Sequence, residues 1–208
     1  MVDAEGRLRE LSGVEPDLAG AVLGSLPRVN PEALPLVPGA PRLGPPVGAV
    51  GKIVGIGLDY SDHAAEIGAP APAEPIVFLK AATALAGLHD PLVLPRGAAR
   101  TDWEVELGVV VGRRMKHVSA AQALRHVAGY TILNDISERA WQLEGTGQWT
   151  KGESHDGFAP IGPMARDARG AARRAVAGTL DACERRADAD RHYRADDLRR
   201  GRDPVLSQ

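Results

Sequence analysis

The stretch Asp102-Trp-Glu-Val-Glu-Leu-Gly-Val-Val-Val-Gly112 decides the fold class. It alternates at its start and then runs wholly apolar, which predicts a strand over 103–111 passing from a solvated end into a core. The same texture recurs on both sides. A β-branched run bounded by glycines predicts a buried strand over 52–58, and Ile76-Val-Phe-Leu-Lys80 and 130–135 predict two more. Between them lie short helical signals: 61–67, capped by Ser61 and ended by Gly68, and 119–126, capped by Ser119. Strands with brief helices between them make a β-rich α+β fold, with no internal repeat.

Three segments differ in composition. Residues 1–47 combine a short polar helix candidate over 5–11 with a proline-rich connector over 31–46, where missing N–H donors exclude a helix. Residues 48–163 carry the strand texture. Residues 164–208 are a different material: Arg, Ala and Asp supply 28 of the 45 residues, with no Lys, Ile, Phe or Trp. So little large apolar surface does not offset the entropy of ordering.

Whole-chain numbers exclude several classes. The 208 residues carry a net charge of −2, which gives no basic field for a nucleic-acid backbone. No apolar stretch approaches the roughly 18 residues of a membrane span. The start lacks a basic region followed by an apolar run, so a cytoplasmic location is the expectation. A single Cys, Cys183, excludes an intramolecular disulfide framework and a multi-thiolate zinc site. Gly55 and Gly57 lack the rest of a dinucleotide fingerprint.

Acidic residues are the first candidates for chemistry. Two apart on a strand, Glu104 and Glu106 project from one face, and Asp135 ends another strand. Adjacent like charges are costly unless a cation binds them, and three carboxylates without thiolates suit Mg²⁺, Mn²⁺ or Ca²⁺. A solvated outer face explains the same spacing. His63 and Glu66 share one side of a short helix, as an oriented base that activates water would, and as any exposed pair would. Lys80 and Lys151 could hold an anion, although surface lysine is the ordinary reading.

Together the segments resemble the fumarylacetoacetate hydrolase family. The matching stretches are Gly57-Leu-Asp-Tyr-Ser-Asp-His-Ala-Ala-Glu66, Pro75-Ile-Val-Phe-Leu-Lys80, the 102–112 stretch, Gly129-Tyr-Thr-Ile-Leu-Asn-Asp-Ile-Ser-Glu-Arg139 and Gln148-Trp-Thr-Lys-Gly152, continuing to Gly162 and Pro163. The segments around Gln142 and Gln148 look most like the bacterial branch of diketo-acid hydrolases and 2-hydroxyhepta-2,4-diene-1,7-dioate isomerases. The resemblance implies a mixed β-roll, a homodimer and a small oxo-acid substrate. It implies Glu104, Glu106 and Asp135 as metal ligands, and His63 with Glu66 as a water-activating dyad. Lys151 is implied as catalytic, and Tyr60, Lys80, Arg139 and Gln142 as substrate contacts. Two departures stand out: Asp59 where asparagine is usual, and Glu153 where a basic residue often follows the glycine.

The motifs stop at Pro163, although the family continues well beyond it. Reading each later codon from its second base explains this. Met164 and Ala165 then give W through A-TGG-C, and the next codons permit L-V-T-R-E. The residues from Cys183 to Asp190 permit V-N-G-E-R-M-Q-T, and those from Asp196 to Leu206 permit M-I-F-x-V-A-E-I-L-S-Y. These strings look like the family's own continuation. A one-base frameshift near codons 163–164 is therefore expected, leaving the roll incomplete at its C-terminal end. Sequencing the gene across this region tests it: third bases that spell these strings in the second frame are expected, and codons that cannot spell them overturn it.

Overall fold

The computed structural model describes residues 1–57, 74–162 and 166–167. Tyr60, His63, Glu66 and the expected 61–67 helix lie outside the described residues. Strands β1 (Ile53–Gly57) and β2 (Ile76–Lys80) form an antiparallel pair with Ile53 opposite Lys80 and Gly57 opposite Ile76. Phe78 lies across Gly55, where a Cβ would stand 2.1 Å from its ring, so only glycine admits it.

A larger sheet runs in the order β3 (Leu85–Gly87), β8 (Ala159–Ile161), β6 (Val127–Asn134), β5 (Val105–Val111). Its β3–β8 pairing is parallel, the β6–β8 and β5–β6 pairings are antiparallel, and β9 (Arg166–Asp167) adds to β6. A separate two-residue ladder joins β4 (Thr101–Asp102) to β7 (Ser137–Glu138). Among the described residues, short α-helices α1 (Ala120–Ala123), α2 (Arg139–Leu143) and α3 (Thr150–Glu153) complete the frame. The strand-rich architecture agrees with the sequence expectation. The core gathers Ala84, Ile136, Phe158 and Ala159, with Ile53 and Leu133 packed against it.

Several local expectations need correction. The strand expected over 103–111 begins only at Val105: the chain leaves the β4–β7 ladder at Asp102, and the Glu104 N–H turns to Asn134 Oδ1 at 3.2 Å. Glu104 therefore stands just before β5, and Glu106 within it. Nor does β5 end in a core, since Val109 and Val111 are exposed. No helix forms over 5–11. The buried Asp3 carboxylate instead collects the Arg7 and Arg9 side chains at 2.8 and 2.7 Å and the Arg7 N–H at 2.8 Å, which folds the segment into bridged turns. Ser119 precedes α1 without a side-chain cap.

Behind β7 the chain is tied by a second buried carboxylate. Glu138 is fully buried and accepts from Ala99 N–H at 3.1 Å, Arg100 N–H at 2.9 Å and Thr101 Oγ1 at 2.8 Å. This seats the 95–101 loop beside the start of α2. Glu138→Ala strands these donors and is expected to lower unfolding free energy by about 3 kcal/mol. Urea denaturation checks it, and an unchanged midpoint overturns the anchoring role.

Candidate functional site

Five charged side chains meet where β2 and β6 end. Lys80, the last residue of β2, faces inward because alternation from buried Phe78 puts it on the same side. It is 4% exposed, and its Nζ donates to Glu153 O at 2.8 Å, Ile136 O at 2.9 Å and Phe158 O at 3.3 Å. The same ammonium pairs with Asp135, which directly follows β6. Asp135 is fixed in turn by its N–H donating to Glu104 O at 2.8 Å.

Arg139, the first residue of α2, holds the second cluster. Its Nη2 donates to Asp102 Oδ2 at 2.9 Å and to Glu104 Oε1, and its Nη1 donates to Gln142 Oε1 at 3.0 Å. That contact orients the Gln142 amide, whose Nε2 donates to Glu153 Oε1 at 2.5 Å. Glu104, Arg139, Gln142 and Glu153 thus form one continuous chain of contacts. Glu153 is 1% exposed, and its Oε2 finds no hydrogen-bond partner among the described residues.

Burial governs the protonation of these acids. The Glu153 carboxyl is pushed up to about 8 by burial first, then by the Asp135 charge, with Lys80 opposing. Asp135 is also raised by burial, against the pull of Lys80.

Of the residues singled out from sequence, Lys80, Glu104, Asp135, Arg139 and Gln142 are brought together. Glu106 lies on β5 opposite Leu133, half-buried. Lys151 is exposed on α3, its Nζ donating to Thr146 Oγ1 at 3.4 Å, and it is not part of the cluster. Glu153, two residues on, faces the other side of that short turn and takes the buried place. Its signal lay in Gly152, where a Cβ would stand 2.5 Å from Glu138 O and 2.7 Å from Gln142 N, so α3 must press against α2. Lys80 also departs from the ordinary surface reading.

Hard oxygen donors are present, but their arrangement does not suit a bound divalent ion as it stands. Glu104 is held by Arg139 and Asp135 by Lys80, and no three His, Cys, Asp or Glu among the described residues converge on one point. The cluster can instead keep a proton on a buried acid.

The raised Glu153 has a signed consequence. Its unfolded value is the ordinary 4.5 and its folded value about 8, so the native state holds the extra proton between them. Stability is fully present below the lower value and falls as pH rises through the upper one. Urea midpoints measured between those limits should decline with pH, and Glu153→Gln should flatten the decline. A flat wild-type profile overturns the assignment.

Comparison with known proteins places this geometry. Residues 52–191 match the family described as Fumarylacetoacetate (FAA) hydrolase C-terminal, a span that runs past Pro163. A Burkholderia ambifaria (strain MC40-6) protein with only the general designation hydrolase is 54% identical over 168 residues, covering 78% of this chain and 60% of its own. The chain therefore spans about three fifths of the length of such relatives. A solved fumarylacetoacetate hydrolase from the psychrophile Exiguobacterium antarcticum is 27% identical with a TM-score of 0.65, over 80% of this chain and 61% of that one. The 5-carboxymethyl-2-hydroxymuconate delta-isomerase of Mycobacterium smegmatis is 42% identical with a TM-score of 0.54, over 61% of this chain and 49% of that one. With strand order, motif order and a profile match covering most of its length, the chain belongs to the fumarylacetoacetate hydrolase family.

Proposed function

We propose that this chain is an enzyme acting on a small oxo acid, and that its reaction is hydrolysis of a C–C bond in a 2,4-dioxo, acylpyruvate-like acid. The observation that supports this is the buried charge cluster around Lys80, Arg139 and Glu153, built from segments that carry the family resemblance. Cleavage of such an acid adds water to the distal carbonyl. The C–C bond between that carbon and the next one breaks, and the electron pair leaves as a pyruvate enolate, which takes a proton to give pyruvate and a carboxylic acid.

Each part of that path makes a demand that residues here address. The substrate carboxylate and the enolate oxygen are anionic, and Arg139 offers fixed positive charge in a partly dry setting. Gln142 and Arg139 hold each other in one orientation, which favours a defined substrate pose. His63 with Glu66 is proposed to activate the water, as the resemblance implies. Lys151 was expected to stabilise the oxyanion, and its exposed contact with Thr146 lends that role no support.

The family generally uses a divalent metal. Glu104, Glu106 and Asp135 remain the proposed ligands for Mg²⁺, Mn²⁺ or Ca²⁺, although Arg139 holds Glu104 and Lys80 holds Asp135 in this arrangement. A second reading, an isomerase or decarboxylase on a hydroxymuconate-like acid, is favoured by the likeness to the Mycobacterium smegmatis isomerase. A lyase of ureidoglycolate-like substrates shares the same acidic residues. A third reading is a non-catalytic remnant, which the assay below separates from the first.

The test is pyruvate release from an acylpyruvate with and without added Mn²⁺, beside a panel of hydroxymuconate-like acids. Cleavage that Mn²⁺ raises, lost in Glu106→Ala and kept in Glu144→Ala, is the expected pattern. Glu144 is exposed and pairs with Arg100 away from the cluster, so equal effects of the two changes overturn the ligand assignment.

A further inference from the structure

Positive charge gathers at the end of the β5–β6 pair away from the cluster. Between Glu106 and Asp135 the sequence holds no acidic residue and carries Arg113, Arg114, Lys116 and Arg125, in a chain whose net charge is −2. Val111 of β5 stands opposite Val127 of β6 there, whereas Val105 and Asn134 pair at the cluster end, so about 20 Å of strand separates the two places. Glycine lets the 20–24 turn press on this end. A Cβ on Gly112 would stand 2.4 Å from Leu23 O, and one on Gly24 would stand 2.9 Å from Gly112 O. The Gly112 and Arg113 N–H groups both donate to His126 O, at 2.8 and 3.2 Å, which closes the opposite wall. Between these walls lies a cavity of about 290 Å³.

Its lining divides by chemistry. Ser25, Arg113, Arg125 and His126 contribute polar and cationic residues, Leu26 and Leu124 contribute apolar ones, and no Asp or Glu among the described residues joins them. Arg113 is placed by its Nε, which donates to Gly24 O at 3.0 Å. The Nδ1 of His126 is shielded from water and has no hydrogen-bond partner among the described residues, so the protein alone leaves this wall incompletely satisfied. We propose that the cavity binds a small organic phosphate monoester, with the phosphate against Arg113 and Arg125 and a short apolar body against Leu26 and Leu124. Such a phosphate carries about two negative charges near neutral pH, which two guanidiniums balance, whereas one carboxylate leaves a positive charge over. The planar fork of arginine also matches phosphate oxygens in pairs. A volume at the small end of ligand pockets suits a metabolite rather than a chain segment. The site is independent of the proposed reaction and of any metal.

Calorimetric titration of the full chain with butyl phosphate, inorganic phosphate and hexanoate tests the assignment. Saturable binding of butyl phosphate, tighter than that of either other probe, is expected, with a matching rise in the thermal midpoint. Arg125→Gln and Arg113→Gln are each expected to weaken it about tenfold, the equivalent of roughly 1.4 kcal/mol. Arg96→Gln, at an exposed arginine outside the lining, is expected to bind as wild type does. Leu124→Ala is expected to narrow the gap between butyl phosphate and inorganic phosphate. Circular dichroism checks that each variant is folded, and exposed Arg125 carries the test if Arg113→Gln does not fold. Equal affinity for butyl phosphate in wild type and Arg125→Gln overturns the site. Equal affinity for the two phosphates overturns the apolar body, and hexanoate binding as tightly as butyl phosphate overturns the phosphate class. No saturable heat and no rise in the thermal midpoint with butyl phosphate overturn the proposal outright.

Discussion

A buried ammonium with nowhere else to go organises this structure. The Lys80 Nζ sits away from water, and an unpaired charge there would be prohibitive. It is satisfied only because three carbonyls and one carboxylate arrive together: those of Ile136 after β6, Glu153 at the end of α3, Phe158 before β8, and the Asp135 side chain. The β1–β2 pair is thereby fastened to the larger sheet at the point where Glu104, Asp135 and Glu153 stand. Removing one partner of such a buried pair typically costs about 3–5 kcal/mol, so the position of this charge constrains the site more than any apolar contact does.

Around that fixed point the remaining polar groups are arranged in a relay. Glu104 touches Arg139, Arg139 touches Gln142, and Gln142 touches Glu153, whose backbone carbonyl returns to Lys80. Each member restricts the next, and the Gln142 amide can point only one way. The close approach of α3 to α2 at Gly152 makes the relay possible, since any side chain there would push Glu153 out of reach. Geometry rather than net charge ties the members together.

Much of this frame was legible from residue order alone. Alternation and β-branched runs located β1, β2 and β5 to within two residues, because strand burial writes directly into sequence, whereas β6 begins three residues before the expected 130. The acidic residues at the ends of these strands were likewise visible. What could not be read was anything that depends on a distant partner. Lys80 looks like a surface lysine until three remote carbonyls are known, and Glu104 leaves the strand because Asn134, 30 residues away, takes its N–H. At 5–11 a helical pattern lost to a local carboxylate, Asp3, that draws two arginines. Lys151 and Glu153 differ by two positions on one turn of helix, and only the packing of Gly152 shows which of them is inside.

The ring of Phe78 over Gly55 continues into Trp149, whose centroid lies 5.6 Å away and whose edge covers Gly57. Trp149 immediately precedes α3, so the indole bridges the hairpin and the helical turn that ends in Glu153. This makes Trp149 a built-in optical probe. With Trp103 and Trp141 replaced, its emission would report whether the β1–β2 pair is seated, and with it the docking that puts Lys80 among its carbonyls.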